Sequence, residues 1–444
     1  MALVTGPTAA AAEASPITSE AADTAALSGR GWVVLIALCG VYVLNFLDRS
    51  LFGILAKPIQ DSLHITDGQL GLIGGFYFAL FYCFIAIPIA WFADRTNRVG
   101  VLTAACAIWS LATVACGLAS SYGQLVAARM TVGFGEAGGV PPSYAIITDS
   151  FPPGKRGIAF GIYNLGPPIG AAVGIAFGAS IAAAFDWRTA FIAIGVIGLA
   201  VALILRIVVR EPKRGAFDDP SVRAMKSGFW ETCATFFSRP ALVLAALGSG
   251  ATQFITYGVG NFTALFLMRE KGMTLDQIAL WYALVVAIAM SASMLVSGRL
   301  IDRFTRVTRA AYATIPAASL VLAIPFYLGF VWTPDWHIAL PLLLGPTFLN
   351  YFYLSSVVAL VQEEVRPDQR VMAGALLLLV MNFIGLGLGP TYVGWASDHF
   401  HAAHSEHSLQ IALFTLTPFY VVAILLFLWL ARVLRREQNA GAAV

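Results

Sequence analysis

Four charged residues lie inside apolar segments of spanning length: Asp48 and Arg49 in VYVLNFLDRS, and Arg129 and Glu136 in RMTVGFGEAG. A charge at membrane depth costs at least ~2.5 kcal/mol on the most lenient insertion scale, so it is retained where it faces a bundle interior or a water-filled path and finds a partner. Counting at 1.5 Å per residue puts Arg49 and Arg129 each roughly 10 Å inside the same membrane face. If their helices are neighbours, Asp48 reaches Arg129. Glu136, two turns further along with Gly133 between, reaches Arg49.

A carboxylate beside an arginine at that depth is part of a competing set of ion pairs. Burial and the arginine act on its proton in opposite senses, so a moving arginine or an arriving anion can switch protonation. That chemistry suits proton coupling at Asp48 and Glu136. Arg49 and Arg129 serve as charge partners or as bidentate ligands for a phosphate or carboxylate head. The alternative, that the pairs only lock helices together, fits poorly, because interhelical polar contacts in membranes average well under ~2 kcal/mol. On the face that carries Arg49, Asn45 and Tyr42 lie four and seven residues back. A second polar stripe, Gln253, Tyr257 and Asn261, recurs every four residues amid Gly258 and Gly260, and both stripes read as cavity lining. Phe76, Tyr77, Tyr163, Tyr351, Phe352 and Tyr353 either surround an acyl or aryl tail or simply fill the core.

The elements that position these groups follow from composition. The 444 residues are 59% hydrophobic and 11% charged, against roughly 25% charged in a soluble domain, so this is an integral membrane protein. Twelve apolar runs reach spanning length: 31–56, 69–92, 99–119, 122–147, 157–183, 187–209, 240–267, 275–300, 309–331, 338–362, 371–396 and 409–432. Residues 1–29 read as a disordered tail, 30–209 as a first six-helix half, 210–239 as a linker, 240–434 as a second half and 435–444 as a tail. With the N-terminus cytoplasmic, 21 of the 27 lysines and arginines fall on cytoplasmic segments. Lys57, Arg188, Arg269 and Lys271 face outside, and Arg49 and Arg129 lie within spans. Positive charge stays inside, so both termini are expected in the cytoplasm, the membrane being a bacterial inner membrane.

Two internal echoes mark the halves as repeats. AWFADRTNR (90–98) returns as GRLIDRFTR (298–306) at an offset of 208, and Asp149, Pro153 and Arg156 return as Glu363, Pro367 and Arg370 at an offset of 214. Repeated halves place a substrate at their interface. Glycines 166, 170, 174 and 178 recur every four residues in the fifth span beside Pro167 and Pro168, and Gly385, Gly389 and Pro390 repeat the theme in the eleventh. Such small-residue stripes read equally as a rocking surface or as plain close packing. The tract DHFHAAHSEH (398–407) reads as a solvated loop rather than a metal site, because its spacing is not closed. Five cysteines without ligand spacing support neither a disulfide framework nor a metal. No cofactor, metal or nucleic-acid partner is expected. No Gly-Lys-Ser/Thr phosphate loop is present for ATP to drive the protein, and no nucleophile–base motif marks an enzyme.

The doubled G-x-L-x-D-R-x-x-R pattern resembles the signature loop of the major facilitator superfamily, with Ala90 and Asn97 standing where that family usually has glycine. NFLDRS, RMTVGFGEAG and FPPGKRGIAFGIYN resemble its Spinster branch, the lysolipid and sphingosine-phosphate transporters. The resemblance implies that a cytoplasmic network holds that side closed and breaks on inward opening. Its members here are Asp94, Arg95, Arg98, Asp149, Arg156, Asp302, Arg303, Arg306, Glu363 and Arg370. Taken together, the expectation is an all-α integral membrane protein of twelve transmembrane helices in two pseudo-symmetric halves, working as a monomer. It moves an amphipathic organic anion, such as a lysophospholipid or sphingolipid-like molecule, by alternating access coupled to protons. A small hydrophilic anion such as a sugar acid is the alternative substrate, and a membrane sensor or channel the alternative class.

Overall fold

The computed structural model describes residues 17–214, 228–366 and 369–441, and of residues 17–29, Asp94, Pro153, Val371, Ala440 and Gly441 the backbone alone. The described residues form helices and no strands. Among the described residues eleven helices are long and apolar enough to cross a membrane: Arg30–Ile54, Asp67–Ala93, Arg98–Leu118, Gly154–Ala184, Trp187–Val208, Pro240–Arg269, Leu275–Phe304, Ala311–Trp332, Trp336–Glu364, Met372–His401 and Ser408–Asn439. The twelfth, fourth in chain order, is divided into Tyr122–Glu136 and Val140–Ser150. Pro141 and Pro142 cause the division. They supply no amide hydrogen to the carbonyls one turn back and instead open the second piece in its first turn. Span ten breaks at the corresponding place, between Trp336–Leu349 and Phe352–Glu364.

The two halves repeat one another in detail. Spans two and eight both open on a capping box, Thr66 with Gln69 and Thr274 with Gln277, again 208 residues apart. Each then passes through a π-helical stretch, Ile73–Tyr77 and Ile278–Tyr282. Such bulges insert a residue into the ladder and recur at functional sites.

Several boundaries differ from the sequence expectation. The first helix starts at Ile17 rather than near residue 30. Ala21, Ala22, Ala25 and Ala26 explain this, since alanine is the best helix former and the same composition that lacks a core can still extend a helix. Part of the linker forms the helix Phe229–Ser238, which buries Thr232 and Phe236. The last helix runs to Gly441, so most of the expected tail 435–444 continues it. Residues 1–16 of the first tail, 215–227 of the linker, Pro367 and residues 442–444 lie outside the described residues.

The glycine stripe of span five proves to be packing within one half. Spans one and five run in contact. A Cβ at Gly174 would stand 2.6 Å from the Leu47 carbonyl oxygen and one at Gly166 2.9 Å from Tyr42 Cβ, so only glycine lets the backbones approach this closely. Gly385 and Gly389 abut span seven in the same way, against Gln253 and Phe254. Two glycines let the halves approach closely elsewhere, where Gly71 of span two meets the Pro390 carbonyl and Gly394 of span eleven meets that of Asp67.

Candidate substrate and coupling site

Span one carries Asp48 and Arg49 toward span four, and all four buried charges pair. Arg49 Nε lies 2.6 Å from Glu136 Oε2, and Arg129 Nη1 lies 3.6 Å from Asp48 Oδ1. Asp48, Arg129 and Glu136 are 1–2% exposed. A charge so deeply buried is tolerated only when paired or hydrogen-bonded. Thr113 of span three supplies a further hydroxyl, which donates to Asp48 Oδ2. The Arg49 guanidinium sits 4.4 Å from the Tyr82 ring centroid. Phe78 lies between the cations, 5.3 Å from Arg49 and 5.1 Å from Arg129. Tyr82, Phe78 and Thr113 carry no signal in the sequence: each is one aromatic or hydroxyl among many in an apolar run.

The cluster keeps unused capacity. Arg129 Nε, Glu136 Oε1 and Asn45 Oδ1 are buried without a hydrogen-bond partner, and Arg129 Nη1 and Asp48 Oδ1 meet only each other, at a distance too long for a hydrogen bond. Buried polar groups are nearly always satisfied, so open positions gathered in one cluster leave hydrogen-bonding capacity there. Arg49 and Arg129 form part of the wall of a cavity of about 150 Å³ between the halves. Tyr257, Asn261, Tyr282, Tyr327, Asn350, Tyr351 and Tyr420 face them from the second half. Of the sequence-selected residues, Arg49, Arg129, Tyr257, Asn261 and Tyr351 therefore line the cavity, and Asp48 and Glu136 back the two arginines. Tyr42 stacks on Tyr163, with centroids 4.5 Å apart. Gln253 is buried against Gly385.

The side that carries both termini holds the residues expected to form a network. Arg98 and Asp149 pair inside the first half. The matching pair of the second half is Arg309 with Glu364, not Arg306 with Glu363. Arg239 also approaches Glu364, at 3.4 Å. Asp302, Arg303, Arg306 and Glu363 are exposed. Glu363 accepts the Tyr312 hydroxyl at 2.5 Å. Arg156 donates to the Phe151 carbonyl at 3.0 Å, Arg370 to that of Gln362 at 2.9 Å and Arg95 to that of Trp91 at 3.3 Å. The side chain of Asp94 lies outside the described residues. Glu211 of the linker, unremarked in the sequence, caps span three through the Val99 amide at 2.9 Å.

Several hydrogen bonds join the halves on the opposite side. Arg269 grips Asp67 with both terminal nitrogens, at 3.0 and 2.7 Å, and Ser397 and Gln60 each donate to the same carboxylate at 2.6 Å. Asp398 accepts the Gly68 amide at 2.9 Å, and Thr391 accepts that of Phe76 at 3.2 Å. In the sequence Asp67 and Arg269 look like ordinary charges at span ends. Nearby, burial pushes the Glu270 carboxyl up and the Lys271 ammonium down to about 8. Glu270 accepts the amides of Leu409 and Gln410 at the head of span twelve, at 3.0 and 3.2 Å. Within the tract 398–407, then, Asp398 is part of the contact between halves, and no group of three metal-ligating side chains occurs among the described residues.

Comparison with known proteins agrees with this architecture. The family model described as Major Facilitator Superfamily matches residues 38–390. An MFS-type efflux pump of Mycolicibacterium smegmatis is 30% identical over 90% of this chain and 92% of its own. Protein spinster homolog 1 of Rattus norvegicus is 25% identical over 83% of this chain and 74% of its own. A crystal structure of a bacterial homolog of the human lysosomal transporter Spinster, inward-facing and unoccupied, superposes with a TM-score of 0.84. It is 30% identical and covers 92% of this chain and 98% of that one. The matched span, the paired six-helix halves and the cavity between them establish that this chain belongs to the Major Facilitator Superfamily, as a membrane transporter that resembles the Spinster branch and not an enzyme.

Proposed function

We propose that the protein is a proton-coupled secondary transporter that moves an amphipathic organic anion by alternating access, with both termini in the cytoplasm of a bacterium. One observation carries the reading: the arginines of two buried ion pairs also line the cavity between the halves. An anionic head binding the open nitrogens of Arg129 competes with Asp48, which then takes up a proton; Arg49 and Glu136 offer a second exchange of the same kind. Five tyrosines across the cavity, 257, 282, 327, 351 and 420, present apolar ring faces together with hydroxyls, which favours an amphipathic molecule. A cavity of about 150 Å³ holds a head group. That volume also supports a sugar acid as the second reading, as does a hexuronate transporter of Bacillus subtilis, 25% identical over 82% of this chain and 87% of its own.

The test is uptake into proteoliposomes of labelled lysophospholipid and, separately, of labelled glucuronate, with and without an imposed pH gradient. Gradient-driven accumulation of the lysolipid is the expected result. Accumulation of glucuronate alone would replace the lipid by the sugar acid, and gradient-insensitive equilibration would leave a facilitator.

Alternating access further requires the Asp67–Arg269 contact to open. Asp67→Asn keeps its shape and loses its charge. With Arg269 partly exposed, the loss is about 1 to 1.5 kcal/mol, roughly tenfold in the balance between closed and open forms. A cysteine at position 261, in a background free of the five native cysteines, should react with a maleimide about tenfold faster in this variant. Exchanging the two charges should restore the slower rate. Equal rates in all three proteins would show that the pair does not govern opening.

A further inference from the structure

The two offsets that relate the halves also relate the walls of the cavity. The offset of 208 carries Asn45 onto Gln253 and Arg49 onto Tyr257; the offset of 214 carries Arg129 onto Leu343 and Glu136 onto Asn350. Each charged group of the first half is thus matched by a neutral one. Arg49 and Arg129 are the charged residues lining the cavity, and both come from the first half. Asn350 directly follows the first piece of the broken span ten, which ends at Leu349, and Glu136 is the last residue of the first piece of span four.

Asn350 is 5% exposed and lines the cavity. Its amide nitrogen donates to the Tyr420 hydroxyl at 2.9 Å, and its oxygen has no partner. The neighbouring Tyr327 has already committed its proton to the Leu413 carbonyl, at 2.5 Å. A buried amide oxygen facing a cavity calls for a donor from whatever fills that cavity. Exchanging oxygen and nitrogen in the amide would leave a free donor instead. A hydroxyl serves either arrangement, because it both donates and accepts; a second anion or an ammonium serves only one. With no charged side chain on this wall, the recognised group is neutral.

We infer that Asn350, with the Tyr420 hydroxyl, forms a hydroxyl-recognising subsite on the second half, so that the transported anion carries a free hydroxyl close to its charged head. This rests on the reading that the cavity receives the anion through Arg49 and Arg129. Two sources have this chemistry: the free glycerol hydroxyl of a monoacyl glycerophosphate, and the ring hydroxyls of a sugar acid.

Calorimetric binding to the full chain in detergent tests it with two matched pairs. One is 1-oleoyl-glycerol 3-phosphate and its 2-deoxy analogue; the other is glucuronate and its 4-deoxy analogue, which lacks the hydroxyl next to the carboxylate-bearing carbon. The wild type is expected to bind the hydroxylated member of one pair at least tenfold more tightly, and the pair that responds names the source. Asn350→Leu should bring the hydroxylated member down to its deoxy analogue, with thermal unfolding in detergent at the wild-type temperature showing that the variant is folded. Asn350→Ser should keep part of the preference. Equal binding of both members by the wild type, or a preference that survives in Asn350→Leu, overturns the subsite and leaves the anion reading intact. Failure of the wild type to bind any of the four overturns the anion reading and the subsite with it.

Discussion

Replacing Asp48 by Asn is expected to abolish concentrative uptake while substrate exchange across the membrane persists. The amide is nearly isosteric with the carboxyl and retains Thr113 as a hydrogen-bond partner, but carries no exchangeable charge. A pH difference of one unit stores 1.36 kcal/mol per proton, about a tenfold concentration ratio at one proton per substrate. Accumulation should therefore fall from about tenfold to unity, with equilibrium exchange within about threefold of wild type. Glu136→Gln tested in parallel separates the two carboxylates, since the one that carries the coupled proton is the one whose amide uncouples. Undiminished tenfold accumulation in both variants would remove the buried cluster from the coupling mechanism.

The second large effect is on stability. Glu136→Ala leaves the Arg49 guanidinium, with a side chain 10% exposed, without its partner at 2.6 Å. Breaking a buried pair from one side costs about 3 to 5 kcal/mol, because the remaining charge is desolvated and uncompensated. The variant should unfold in detergent at markedly lower temperature. Adding Arg49→Met should restore most of the stability, since a buried ion pair replaced by apolar groups of similar volume is often neutral or better. Transport should remain lost in the double variant. Such an outcome would separate the charges' functional role from any structural one; a single variant as stable as wild type would show that water or another group already compensates Arg49.

Much of this protein is a local property of its chain. Spanning length and apolarity select the helices one by one, without reference to their neighbours. The doubled motifs at offsets of 208 and 214 identify the halves, and charges inside apolar runs single out Asp48, Arg49, Arg129 and Glu136. Residue counting even puts Arg49 and Arg129 at a common expected depth, because the rise of a helix is constant. What depends on how the helices are rotated and which of them touch was decided by the tertiary structure. Arg309 and Glu364, rather than Arg306 and Glu363, repeat the Arg98–Asp149 pair, and the glycines of span five serve packing against span one. Thr113 becomes a partner of Asp48 from 65 residues away, and Asp67 meets Arg269 from 202. Hydropathy records whether a residue tolerates lipid or water. The partner of a buried polar group is set by helix azimuth and by the few ångströms between neighbouring backbones, and these arise only when both halves have packed.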